Sequence, residues 1–268
     1  MDVTDVLTDL LAEQAALDAV VAELSAEELA LATPSPRWSI ADQLAHLTYF
    51  DRNAALAVTD PDAFPATVAA LIESAMAGDE AVDEFALGAW RHLPPADLLA
   101  AWREGRAELE AAGRSLANDD RVAWYGPSMG SKSFLTARLM ECWAHGQDIV
   151  DALLGAGIAA ERPATDRLRH IAQLGAITRR WSYLNRGLEV PEGDVVVELT
   201  SPSGETWTYG EGDQRVAGSA EDFCLVVTQR RHVDDTDLTI DGPAARDWME
   251  RAQAFAGPAT DGPAPKEA

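Results

Sequence analysis

Cysteine is scarce in this chain: of 268 residues only Cys142 and Cys224 carry thiols, and no CxxC spacing occurs. A disulfide framework and a structural zinc knuckle are therefore excluded, and both thiols are expected to pack as buried apolar groups. Cations are also sparse, 21 Lys and Arg against 45 Asp and Glu, for a formal charge of −24. Such a field repels a phosphate backbone, and no basic stripe or cluster overrides it, so nucleic acid is not an expected partner. Long apolar runs are missing, and nothing approaches the roughly 20 residues needed to cross a bilayer. The N-terminus MDVTDVLTDL has neither the basic start nor the apolar core of a signal peptide. The expectation is a cytoplasmic protein with no membrane partner.

What is present reads as helix over the first two thirds. VTDVLTDLLAEQAALDAVVAEL places Val3, Val6, Leu7, Leu10, Leu11, Leu17, Val20, Val21 and Leu24 on one stripe of a long amphipathic helix. TPSPRW ends it, because proline cannot continue a helix and restricts the residue before it. Ser39, with Asp42 three residues on, makes a capping-box start for a helix running to about Val58. Residues 60–94, interrupted at Pro61, Pro65, Gly78 and Gly88, predict an irregular excursion with short helical pieces. Helix resumes at Pro95. After the loop NDDRVAWYGPSMGSKS, the run FLTARLMECWAHGQDIVDALL predicts another helix ending at Gly155, and ATDRLRHIAQLGAITRRWSYLNRG closes the helical part.

Beyond Leu188 the pattern changes. DVVVELTSPSGETWTYG alternates apolar and polar residues about a Pro-Ser-Gly turn, a hairpin signal. A helix over AEDFCLVVTQRRH, a strand over DTDLTIDG and a helix starting at Pro243 follow. The expected fold class is α+β, with an up-down four-helix bundle over 1–186, a small α+β domain over 187–257, and a disordered tail over 258–268.

One helix carries candidate chemistry. Residues four apart share a helical face, so Glu141 and His145 can present two ligands to one point, although the same spacing suits a plain hydrogen bond. The segment around them is apolar enough to lie centrally in a bundle, where an unpartnered polar group costs about 1–3 kcal/mol. His46, between Leu44 and Leu47 on an earlier helix, supplies a third ligand if the two helices are antiparallel neighbours. Two histidines and one carboxylate leave coordination positions open, the pattern of a catalytic metal site; zinc is the default, and the set also suits nickel or iron(II).

Asp42 and Asp148 are candidates to orient the histidines or to act in catalysis, although Ser39 already accounts for Asp42 as part of a cap. His170 is a further acid or base candidate. Arg138 and Arg180 are candidate cations for a polar substrate, with ion pairing as the alternative. Trp124 and Tyr125, in the loop before the Glu141 helix, are candidates to pack against a substrate, and Ser131 or Ser133 is expected to cap that helix. Cys142 points about 100° away from Glu141 around the helix and is expected to pack.

Two motifs together carry a family resemblance. PSPRWSIADQLAHL, followed about a hundred residues later by ARLMECWAHGQDIVDALLG, resembles the DinB-like bundles of the mycothiol-dependent maleylpyruvate isomerase family. That family joins a metal-binding four-helix bundle to a small α/β C-terminal domain resembling sterol carrier proteins, and the order of elements here agrees over nearly the whole chain. The resemblance implies that His46, Glu141 and His145 are metal ligands, and that a low-molecular-weight thiol, mycothiol in actinobacteria, binds beside the metal as co-substrate. It implies a thiolate that adds to a small electrophilic substrate, giving isomerisation if it is expelled again and S-transfer if it stays. A hydrolase or lyase using metal-bound water and a non-catalytic metal- or small-molecule-binding protein stand as alternatives. Monomer and homodimer are both compatible with the sequence.

Overall fold

In the computed structural model, which describes residues 2–266, Asp2 opens the first helix. Its carboxylate accepts from the Thr4 and Asp5 amides while Asp5 accepts from the Asp2 amide, so α1 runs Val3–Val21. The short α2 (Ala26–Leu29) follows, and the expected Ser39/Asp42 capping box then starts α3 (Ile40–Thr59). The excursion over 60–94 contains α4 (Phe64–Met76) and α5 (Asp79–Leu87), joined at Gly78, whose φ of 108° suits a residue without Cβ. Next come α6 (Pro95–Gly113), a two-residue antiparallel ribbon of β1 (Arg121–Val122) and β2 (Met129–Gly130), and α7 (Ser131–Gly155). Ser131 does not cap α7. Gly130 holds that position, and the Ser131 hydroxyl donates to the Ala117 carbonyl instead.

These elements form one compact unit ending at Arg162. Within it α3 packs on α6 and α7, and α1 packs on α7 and α6. The interior between them is filled by Leu17, Val21, Ile40, Leu44, Leu47, Leu98, Trp102, Cys142, Ile149 and Leu153, all buried. The apolar stripes read from the sequence face one another there, and their removal from water is the main force holding the helices together.

A second compact unit begins at Pro163. It contains α8 (Leu168–Ile177), α9 (Arg179–Leu184), β3 (Val195–Thr200), β4 (Thr206–Tyr209), β5 (Gln214–Ser219), α10 (Ala220–Val227), β6 (Thr239–Asp241) and α11 (Pro243–Arg251). The sheet order is β4-β3-β5-β6. The expected β3–β4 hairpin is antiparallel, β5 lies parallel on the other side of β3, and β6 is antiparallel to β5.

The helical stretch 164–187, expected to close the bundle, lies in this second unit and is broken in two. Thr178 donates its hydroxyl back to the carbonyls of Leu174 and Gly175, and the chain restarts as α9. Gly175 explains the allocation: a Cβ there would come within 2.8 Å of Val227 and 3.0 Å of Phe223 on α10, so α8 packs closely on α10 by this bare face. The boundary between compact units therefore precedes the change from helical to strand pattern.

Residues 258–266 carry no regular structure, yet they do not stand free. The Thr260 carbonyl accepts from Arg186 and from Gln229 Nε2, and the Thr260 amide donates to Gln253 Oε1. The expectation of disorder at residues 267 and 268 lies outside the described residues. Among the described residues no helix is long and apolar enough to cross a membrane.

Candidate metal centre

Helical spacing puts Glu141 and His145 one turn apart on α7, and the packing of α3 on α7 brings His46 against them. Glu141 Oε2 lies 3.0 Å from His145 Nε2 and 3.4 Å from His46 Nε2, and the two imidazole centroids are 4.3 Å apart. One donor atom from each of the three residues falls within 4.8 Å of the others. His145 is buried, and His46 and Glu141 are half-buried.

Aromatic rings surround the cluster. The Trp38 ring lies 5.0 Å from His46 and 5.9 Å from His145, and Phe50 lies 4.6 Å from His46. Trp38 is itself pinned, because its indole N–H donates to Asp83 at 3.0 Å. This low-dielectric setting acts on the titrations. Burial, followed by the charge of His145, pulls His46 down to about 4 and so keeps it neutral at neutral pH. Burial opposes ionisation of Glu141, but hydrogen bonds from His145 and His46, together with their charge, outweigh it and hold the carboxyl well below its usual range.

The polar groups behind the cluster serve different ends. His145 Nδ1 lies 2.6 Å from Gln43 Oε1 and 3.7 Å from Asp148 Oδ2, and Asp148 Oδ2 in turn accepts from Ser35 Oγ at 3.2 Å. Asp42 secures the start of α3. Its Oδ2 accepts from the Ser39 amide and hydroxyl, both at 2.8 Å, and its Oδ1 pairs with Arg91 Nε at 2.8 Å. Arg138 is also engaged, donating Nε and Nη2 to Asp51 Oδ1 at 3.0 and 2.8 Å.

The family model for the mycothiol maleylpyruvate isomerase N-terminal domain matches residues 10–150, which include His46, Glu141 and His145. The chain belongs to this family. Two uncharacterized proteins from two strains of Mycobacterium tuberculosis are each 46% identical to it over 255 residues, 94% of this chain and 95% of theirs. Crystal structures of the mycothiol-dependent maleylpyruvate isomerase and of a mutant of it match with a TM-score of 0.57 at 17% identity, over 91% of this chain and 96% of that one. At that identity the likeness speaks for the fold alone.

In this member of the mycothiol maleylpyruvate isomerase family, the remaining candidates fall into three places. Trp124 and Tyr125 sit in the turn between β1 and β2, both half-buried. Trp124 stacks on Phe64 at 5.6 Å, Tyr125 meets Phe50 edge-on at 5.4 Å, and Phe50 links both to the His46 ring. His170, buried on α8, and Arg180, exposed on α9, belong to the second unit. Cys142 packs in the bundle interior, and burial pushes its thiol up to about 12, which keeps it protonated.

Gln43 is the residue that the sequence did not bring forward. It lies three residues before His46 and is completely buried. A fully buried amide in an apolar helical run is the signal that a polar partner must face it. Gly146, in the same motif as His145, also has a structural reason: a Cβ there would lie 2.4 Å from Arg162 Nη1. That guanidinium crosses the bare helix surface to donate to the Trp143 carbonyl and to pair with the buried Glu13.

Proposed function

We propose that the protein is a metal-dependent enzyme that uses a low-molecular-weight thiol against a small electrophile, isomerising it or transferring the thiol to it. The observation that carries this reading is the convergence of His46 Nε2, Glu141 Oε2 and His145 Nε2 from two helices. The donor set fits a divalent cation of the zinc, nickel or iron(II) type, because imidazole and carboxylate ligands suit these ions and three of them leave positions open. Its protonation state fits too. His46 is neutral and Glu141 ionised at neutral pH, so neither needs to lose a proton before binding.

A divalent cation held by these residues stabilises the deprotonated form of a sulfur brought to it, supplying a thiolate at neutral pH. The chain does the rest. Trp38 and Phe50 keep water from the imidazole faces, Glu141 contributes one negative charge, and Gln43 with Asp148 lies behind His145. Trp124 and Tyr125, joined to the site through Phe50, form the apolar side against which a substrate packs. Zinc is the first choice of ion.

Metal analysis of the purified protein, produced with zinc, nickel and iron available, tests the first half. About one ion per chain is expected, and none after His46, Glu141 or His145 is replaced by alanine. Incubating the metal-loaded protein with mycothiol and either maleylpyruvate or a thiol-reactive electrophile tests the second half. Consumption that requires the thiol supports the reading; turnover indifferent to the thiol points to hydrolysis, and no turnover to a binding protein.

A further inference from the structure

Thr33, Gln43 and His145 form a chain of hydrogen bonds that ends at the candidate metal centre. The Thr33 hydroxyl has one proton, and it donates this to the Trp38 carbonyl at 2.9 Å. Its lone pairs are left to accept from Gln43 Nε2, also at 2.9 Å. With its amino end engaged, the Gln43 amide turns its carbonyl oxygen to His145 Nδ1 at 2.6 Å. A carbonyl oxygen only accepts, so Nδ1 carries a proton, and Nε2, the nitrogen that faces Glu141 Oε2 at 3.0 Å, is the one left to offer a lone pair to an ion.

We propose that Gln43 is the positioning residue of the metal centre, holding the Nδ1 proton of His145 and so aiming its Nε2 lone pair at the ion. The inference rests on the metal-dependent reading above. Helix α3 then acts on the centre twice, supplying His46 directly and bracing the α7 ligand His145 through Gln43, three residues earlier. Asp148 is the competing partner, but at 3.7 Å from Nδ1 and bound by Ser35 it stands beyond hydrogen-bond reach. The choice has an electrostatic consequence. An amide carries no charge, so the hydrogen bond that holds Nδ1 adds none to the centre beyond the charges of Glu141 and of Asp148, 3.7 Å away.

The test compares zinc affinity, read by competition with a chromophoric chelator, across three variants alongside NMR of the zinc-loaded wild-type protein. Gln43→Leu is expected to weaken zinc binding about 10–100-fold. Gln43→Glu keeps an oxygen acceptor and is expected to recover most of that affinity, and Thr33→Val, which frees the amide to rotate, is expected to lose less than Gln43→Leu. In the wild type, the His145 Nδ1 proton is expected as a downfield imidazole resonance protected from exchange, lost in Gln43→Leu and kept in Gln43→Glu. Wild-type affinity in a folded Gln43→Leu protein, or an unprotected His145 Nδ1 proton in the zinc-loaded wild type, overturns the proposal. Should Gln43→Leu not fold, the wild-type resonance and Thr33→Val decide. If the wild type binds zinc and Gln43→Leu binds it equally, only this inference falls; if the wild type binds no zinc, nickel or iron, the metal-dependent reading falls with it.

Discussion

Arg138 on α7 donates through both Nε and Nη2 to a single oxygen, Oδ1 of Asp51 on α3, and each side chain is only 3% exposed. Gln14 Nε2 of α1 approaches the other carboxylate oxygen at 3.3 Å. One buried pair thus ties together three helices of the bundle, directly beside the ring of Phe50. Burial raises the Asp51 pKa; the charge and hydrogen bond of Arg138 lead the opposition, and the charge of Arg106 assists. Replacing Arg138 by methionine leaves a buried carboxylate without its cation, and we expect a loss of about 3–5 kcal/mol in urea unfolding. Converting both residues to leucine should return much of it, because the uncompensated charge then disappears with its partner.

The three converging ligands predict a stability that depends on the ion. At an ion concentration 100 times the dissociation constant, binding to the folded state alone adds about 2.7 kcal/mol. Thermal melts with and without zinc should therefore separate for the wild type. They should coincide for His46→Ala, Glu141→Ala and His145→Ala, each of which removes one donor from the cluster.

Any side chain at Gly146 is expected to displace the Arg162 guanidinium. A Cβ there meets the Arg162 guanidinium, which must then shift away from Glu13 and the Trp143 carbonyl. Gly146→Ala should cost roughly 1–3 kcal/mol, the range for overpacking a fitted interior. Pairing it with Arg162→Ala tests the cause: the two penalties should be strongly non-additive if they act through the same contact.

Asp18 on α1 accepts from both Arg103 and Arg106 on α6. The hydrogen bond from Arg103 is the leading reason its carboxyl is held below the usual value, with burial opposing and Arg106 assisting. A carboxylate whose folded pKa is depressed stabilises the fold above its unfolded pKa, and the contribution is lost as pH falls through the folded value. Wild type should therefore exceed Asp18→Asn in urea midpoint at pH 7, and the gap should close below about pH 4, the unfolded aspartate value. The partial exposure of these groups keeps the gap small, and raised salt should narrow it further.

Several features of the fold are legible because they are settled within a few residues. The Ser39/Asp42 box starts α3 because both bonds close within one turn. The β3–β4 hairpin is visible because its strands alternate about a tight turn. By contrast, QRVAGS gives no sign of β5, since its buried pair Val216 and Ala217 are adjacent rather than alternating. Its strand character comes from the neighbours that it pairs with, β3 on one side and β6 on the other. The break at Thr178 is hidden for a related reason: apolar periodicity continues through it, while the back-bonding hydroxyl acts on carbonyls that any helix would offer.

That Glu141 and His145 share one face of a helix follows from residue order alone, because 3.6 residues per turn is a local property of the backbone. The same local geometry turns Cys142 away from them, and composition alone makes the chain strongly acidic. Packing settles the rest. It stands His46 against the pair, brings the Gln43 carbonyl within hydrogen-bond distance of His145 Nδ1, and binds Arg138 to Asp51. It also assigns the helices after Pro163 to the sheet domain, where α8 meets α10. The partner of a buried polar group depends on which helices pack and at what register, and that is the outcome of burying every apolar stripe at once.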